Sequence, residues 1–183
     1  VGTVDKTATA ATQVAAFFGN ATPAQFTTSG SGAGATVTYT GPGGDWGYRR
    51  MILHYAKLCA AAGGVDAFII GSELRALTQI RSNATTYPAV AALASLAADV
   101  KSILGGGVKV GYAADWSEYF GHHPADGSND VFFHLDPLWA DANVDFVGID
   151  NYMPVSDWRD GFNHLDAAIW PSIYDKDYLQ SNV

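Results

Sequence analysis

The sequence predicts an α/β fold with parallel strand pairing. Three observations carry this: short apolar runs punctuated by glycine, longer stretches with helical periodicity between them, and a repeated strand–helix–strand order. The runs lie near residues 65–70, 108–114 and 144–150. Their hydrophobicity is continuous instead of alternating, which predicts burial on both faces, as in parallel sheets covered by helices.

In chain order, residues 6–18 form an Ala-rich helix, with Asp5 as cap and Gly19-Asn20 as stop. Residues 20–44 differ in kind. They are rich in Gly, Ser and Thr, only 35–40 alternates like a strand, and the segment reads as a surface excursion or hairpin. A helix over 45–62 has an apolar face of Trp46, Ile52, Tyr55, Leu58, Cys59 and Ala62, and Gly63-Gly64 ends it. After the first strand and a loop through Tyr87, Pro88 opens a helix that turns Leu93, Leu96, Val100, Ile103 and Leu104 inward. Gly105-Gly106-Gly107 stops it before the second strand. A polar loop over 115–130 and a short helix over 131–140 lead into the third strand. A last helix near 165–179 is interrupted by Pro171.

Composition narrows the function. A chain of 183 residues, 48% hydrophobic and 15% charged, has enough apolar content for one substantial core. Its net charge of −8 and lack of a basic patch argue against nucleic acid and anionic membrane surfaces as partners. No run of 18 apolar residues and no signal peptide is present, so membrane insertion is not expected. Cys59 is the single cysteine, which excludes an intrachain disulfide and reads as a buried structural thiol. The start at Val1 without a methionine reads as a piece of something longer. Three strands also fall short of a closed eight-stranded barrel, which usually needs about 250 residues. The chain is therefore either a small open sheet or part of a barrel whose other strands lie elsewhere.

All three strands end on an acidic residue: Gly71-Ser72-Glu73, Ala114-Asp115-Trp116 and Ile149-Asp150-Asn151-Tyr152. In parallel α/β folds the carboxyl ends of strands carry the chemistry. A rim of carboxylates and aromatic rings suits sugars, because flat apolar faces stack on pyranose rings while Asp, Asn and Tyr satisfy hydroxyls. Glycoside hydrolysis needs a carboxylic acid as proton donor and a second carboxylate as nucleophile or base. Glu73 is the candidate donor, since a partly buried strand end raises a carboxyl pKa. Ser72, Asp115, Trp116, Asp150, Asn151 and Tyr152 are the candidate substrate-binding residues. Asp115 and Asp150 have a plainer reading as caps of the turns that follow.

Four strings are more specific: Gly71-Ser72-Glu73-Leu74, Ala113-Ala114-Asp115-Trp116-Ser117-Glu118-Tyr119, Phe133-His134-Leu135-Asp136-Pro137-Leu138-Trp139 and Val147-Gly148-Ile149-Asp150-Asn151-Tyr152-Met153-Pro154. Together they resemble the TIM-barrel-like domain of gene transfer agent and related phage tail-tip proteins, over nearly the whole chain. That domain is in turn similar to (β/α)8 glycoside hydrolases whose fourth strand ends in Asn-Glu. The resemblance implies a partial (β/α)8 barrel of glycoside-hydrolase type with an N-terminal helix and hairpin excursion, and Glu73 as acid/base. It implies a place in the tail tip of a phage-like particle made in the bacterial cytoplasm. It also implies partners among bacterial surface carbohydrate or peptidoglycan and among other tail or baseplate proteins. Two departures stand out. Ser72 replaces the Asn, and the nucleophile strand of those hydrolases is expected beyond Val183, with the first three strands before Val1. The chain alone is then expected to be inactive, and a non-catalytic structural or carbohydrate-binding module of the tail hub is the alternative.

No cofactor is expected. Asp66 and Glu73 have the outer spacing of the chitinase motif Asp-x-x-Asp-x-Asp-x-Glu, but Ile69 and Gly71 occupy its inner positions. His122, His123, His134 and Asp136 lack metal-ligand spacing, so no metal is expected, and His122 or His123 is better read as a rim contact to glycan. Residues 126–130 lack EF-hand spacing and read as a turn. Trp116, Tyr119, Tyr152 and Trp158 are expected at the rim, while Phe133 and Trp139 pack the following helix.

Overall fold

The structure, a computed structural model, describes residues 4–152 and 154–183. Val1 to Thr3 lie outside the described residues, as does Met153 of the fourth string. Two units are distinguished, Val1–Asp150 and Asn151–Val183.

In the first unit the order is α1 (Ala8–Phe18), β1 (Phe26–Ser29), β2 (Thr36–Tyr39), α2 (Tyr48–Ala61), β3 (Ala67–Ser72), α3 (Arg75–Thr78), α4 (Pro88–Leu104), β4 (Lys109–Asp115), α5 (Trp116–Tyr119), α6 (Asp136–Trp139) and β5 (Phe146–Asp150). β3, β4 and β5 form a parallel sheet in that order, and β1 pairs antiparallel with β2. Among the described residues the parallel sheet has three strands and does not close into a barrel.

The core lies between this sheet and the helices. Val14 and Phe18 of α1, Ile52, Leu53 and Ala56 of α2, and Leu93, Leu96 and Val100 of α4 pack with Ile70, Val110, Tyr112 and Ala114 of the strands. Apolar burial of this kind contributes about 25 cal/mol per Å2. The α4 face therefore follows its sequence periodicity. α2 follows it only at Ile52: Trp46, just ahead of the helix, is 80% exposed, Tyr55 is also exposed, and Leu53 and Ala56 join Ile52 on the inward side. Cys59 is only partly buried, contrary to its reading as a buried thiol.

Continuous burial holds for the central strand alone. Residues Val110 to Ala114 of β4 are all buried, whereas Ile69 of β3 is 50% exposed and Val147 and Ile149 of β5 are 49% and 41% exposed. β3 and β5 have a neighbouring strand on one side only, so their apolar side chains lack the cover that β4 receives. The face away from the helices carries glycine at 111 and 148, where close neighbours leave no room for a side chain. A Cβ on Gly111 would sit 2.4 Å from the Phe146 ring, and one on Gly148 would sit 2.8 Å from the Tyr112 carbonyl oxygen.

Several local expectations change. Asp5 does not cap α1, whose cap is Thr7; it pairs with the buried Arg81, whose guanidinium reaches Asp5 Oδ2 at 2.7 Å. Burial pushes the Asp5 carboxyl up, but the hydrogen bonds from Arg81 outweigh it and hold it below the usual range. The excursion is not purely superficial, because Ala21 and Phe26 are buried in the core and β1 is a strand the sequence reading left out. The loop over 71–87 contains α3, and the polar loop over 115–130 begins with α5. Of the expected helix over 131–140 only α6 forms, since Phe132 pairs with His122 in an isolated bridge and the helix starts where Pro137 fits its first turn.

In the second unit the interruption at Pro171 divides α7 (Leu165–Ile169) from α8 (Lys176–Ser181). Tyr178 is its buried centre. The Tyr178 hydroxyl donates to Asp166 Oδ2 at 3.2 Å and accepts from the Asp157 amide at 3.1 Å. The Trp158 ring packs on Tyr178 and His164, with centroids 5.6 and 4.7 Å away, so Trp158 is a packing residue of this unit instead of a rim aromatic.

Candidate functional site

The carboxyl ends of β3, β4 and β5 bring Ser72, Asp115 and Asp150 onto one rim. Asp115 and Asp150 are register partners. Ser72 reaches that row through a β-bulge. Ile69 pairs with Gly111 and Ser72 with Ala113, so three steps along β3 match two along β4. The extra residue turns Ser72 to the face that carries Ala113 and Gly148. Both neighbours are small, and the Ser72 hydroxyl donates across them to Asp150 Oδ2 at 2.6 Å.

Asp115 has a second task. Its carboxylate accepts the Ser117 amide at 2.8 Å and the Ser117 hydroxyl, and so caps α5. The Ser117 hydroxyl, foremost, holds the Asp115 carboxyl below its usual pKa. The plainer reading of Asp115 as a cap is therefore correct, and it does not remove Asp115 from the rim. Trp116 is partly buried and packs edge-on against Phe120 with centroids 5.8 Å apart.

Glu73 follows the bulge in the left-handed region, with φ +53°, and its amide donates to the Ala113 carbonyl at 2.9 Å. A non-glycine residue in this conformation costs roughly 1 kcal/mol or more. The side chain is exposed and makes no hydrogen bond or ion pair with any described residue, so the partial burial expected for a proton donor is not found. Asn151 and Tyr152 begin the second unit, and Tyr152 is 70% exposed.

Among the described residues the buried carboxylate is Glu118, with 0% exposure. It completes a capping box with Asp115, reaching back to the Asp115 amide at 3.3 Å. It also accepts from the Tyr112 hydroxyl at 3.0 Å and from Thr78. The Tyr112 hydroxyl in turn accepts the Leu74 amide at 2.8 Å, and Thr78 Oγ1 lies 3.3 Å from His134 Nε2. One cluster thus braces the segments that leave both β3 and β4 from beneath the rim. Burial pushes the Glu118 carboxyl up against the lowering effect of its donors, and pushes the His134 imidazole down to about 4. Burial and the nearby Glu118 charge also push the Tyr112 phenol well above its usual range, keeping it a donor. The sequence signal for Glu118 is the Asp-x-x-Glu spacing after an apolar strand.

His122 is buried and its Nδ1 lies 2.9 Å from the Tyr87 hydroxyl, so of the two adjacent histidines only His123 is exposed. Phe133 is 63% exposed and does not pack a helix, whereas Trp139 lies against Tyr112 with centroids 5.9 Å apart. Among the described residues no group of three or more His, Cys, Asp or Glu side chains is placed to hold a metal ion.

The model of the GTA TIM-barrel-like domain, GTA standing for gene transfer agent, matches residues 46–183. No curated protein matches the chain in sequence. The match spans α2 and all three parallel strands, and with them Ser72, Asp115, Asp150 and the buried Glu118. It covers about three quarters of the residues and agrees with the parallel α/β architecture, so the chain belongs to the GTA TIM-barrel-like domain family.

Proposed function

We propose that the domain docks to bacterial cell-surface glycan or peptidoglycan through the carboxyl-end rim of its parallel sheet. Its setting is the tail tip of a phage-like particle assembled in the bacterial cytoplasm, beside other tail or baseplate proteins. The observation that supports the reading is the Ser72–Asp150 hydrogen bond beside the Asp115–Asp150 pair. It forms a fixed row of hydroxyl and carboxylate groups, flanked by Trp116, of the kind that satisfies sugar hydroxyls.

A second reading, retaining glycoside hydrolysis with Glu73 as proton donor, draws on the left-handed backbone of Glu73, because such strain gathers at functional sites. It requires a second carboxylate about 5–5.5 Å from the donor. Docking is preferred because an effective donor is usually tuned by burial, and Glu73 is exposed.

Cosedimentation with purified peptidoglycan sacculi tests the rim. Asp150→Asn is expected to lower retention about tenfold, the scale of one lost charge-assisted hydrogen bond. Equal retention of wild type and variant refutes the assignment. Reducing ends released by the complete barrel and lost in its Glu73→Gln variant, with retention unchanged, establish the hydrolytic reading over docking alone.

A further inference from the structure

We propose a second sugar subsite, resting on the glycan reading above, in the cleft between the end of α1, the β1–β2 hairpin and the start of α2, with Trp46 as its stacking platform. The cleft has a volume of about 800 Å3 and is lined by Phe17, Asn20, Gln25, Pro42, Asp45 and Trp46, among others. That volume falls in the range of small-ligand sites, about 300–1,000 Å3.

Trp46 is exposed but braced by a cation on its ring. The Arg50 guanidinium lies 3.8 Å from the centroid of its ring and 4.3 Å from that of Tyr39. Arg50 Nη1 donates to the Asp45 carbonyl at 2.8 Å, which fixes the cation in place. Trp46 borders this cleft and also a neighbouring one, and Arg50 lines only the neighbouring one. A large aromatic surface fixed in advance binds with little further loss of side-chain entropy.

The polar groups around it match hydroxyls. Gln25 Oε1 accepts the Thr22 amide at 2.9 Å, leaving the Gln25 NH2 to donate. The Asn20 side chain makes no hydrogen bond with any described residue. Asp45 Oδ1 and Oδ2 each accept one backbone amide, from Gly47 and Asn20 at 3.0 Å, and each keeps acceptor capacity. Donors and acceptors side by side, with no cation in the lining, select a neutral polyhydroxylated ring over a carboxylated or phosphorylated one. Interspersed polar groups also fit a sugar better than the apolar anchor of a protein partner.

Two contacts tie the wall of the cleft to the strand that carries Ser72. Phe17 stacks on Tyr48 at 5.4 Å, and the Tyr48 hydroxyl donates to the Ile70 carbonyl at 2.9 Å, two residues before Ser72. Glycine at 47 makes the crossing possible, since a Cβ there would lie 2.4 Å from the Phe18 carbonyl oxygen. Residues ahead of the family match supply much of the second subsite.

Calorimetric titration with β-1,4-linked N-acetylglucosamine hexamer tests this. Trp46→Ala is expected to weaken hexamer binding about tenfold, and Trp46→Tyr to stay within about threefold of wild type, as ring stacking requires. Since Trp46 is exposed, circular dichroism of both variants should match wild type. Hexamer binding unchanged in Trp46→Ala but lost in Asp150→Asn overturns the subsite and leaves the rim. Binding lost in Trp46→Ala but kept in Asp150→Asn supports the subsite and overturns the rim. A wild type that binds neither hexamer nor sacculi overturns both, as does capture of a second protein through Trp46 without any sugar binding.

Discussion

Removing one oxygen atom, in Tyr112→Phe, probes the brace beneath the rim. Tyr112 is fully buried, and its hydroxyl joins the Leu74 amide to Glu118. The substitution leaves the ring and its packing in place, so no cavity larger than the lost hydroxyl forms. Two costs arise. Glu118 loses a hydrogen bond to a charged acceptor, about 1.5–3 kcal/mol, and the Leu74 N–H is left without an acceptor, about 1–3 kcal/mol. Glu118 keeps Thr78 and the Asp115 amide, which places the sum in the lower half of that range, about 3 kcal/mol. Urea unfolding followed by circular dichroism reads this as a lower midpoint at unchanged slope. In a thermal scan the same loss lowers Tm by roughly 6–12 °C for a chain of this size. A double-mutant cycle with Glu118→Gln should show a coupling of about 1 kcal/mol or more. A loss under about 0.5 kcal/mol, the scatter of ordinary surface substitutions, or strict additivity in the cycle, refutes the brace.

The remaining predictions concern pH and packing. His134 is buried with its pKa pushed down to about 4, below the ordinary 6.5 of an unfolded chain. Between those values the unfolded state binds the extra proton, so stability falls as pH drops from about 6.5 towards 4, by roughly 3 kcal/mol. Urea midpoints across that window check it, and His134→Gln should flatten the slope; a slope equal in both proteins counts against a neutral buried imidazole. Gly148→Ala places a methyl 2.8 Å from the Tyr112 carbonyl oxygen and 3.0 Å from the Ala113 Cα, backbone atoms that cannot rotate aside. A loss of about 1–3 kcal/mol is expected in the same unfolding assay, and a neutral or stabilising result would show that the β4–β5 spacing is looser than described.

The parallel core was legible because it rests on patterns that local chemistry enforces. The α4 periodicity, the proline at its first turn and the apolar run of β4 translate directly into burial. Failures came where tertiary context decides. Hydrophobicity alone points Trp46 and Tyr55 inward with Ile52, but Leu53 and Ala56 fill the space against α4 beside Ile52, and the aromatics face outward. β1 carries one apolar residue in four and forms only because Phe26 finds the core and Thr27 to Ser29 find β2. At the rim, Ser72, Asp115 and Asp150 come together as the strand ends suggested. The left-handed turn at Glu73 was not legible, since nothing in a glutamate announces a positive φ. The role of Glu118 was legible in part, since its Asp-x-x-Glu spacing from Asp115 is that of a capping box.

The bulge in β3 also bears on how positions in this strand correspond to those in other barrels. Side-chain parity slips between Ile69 and Ser72: residues three apart share a face, where an unbroken strand would put residues two and four apart there. Counting in twos from Ile69 would aim Gly71 and Glu73 at the sheet's open face. The register aims Ser72 there and releases Glu73 towards solvent. A superposition anchored on the start of the strand and one anchored on its end therefore name different residues as occupants of the same slot. Only the second makes Ser72 the neighbour of Asp150.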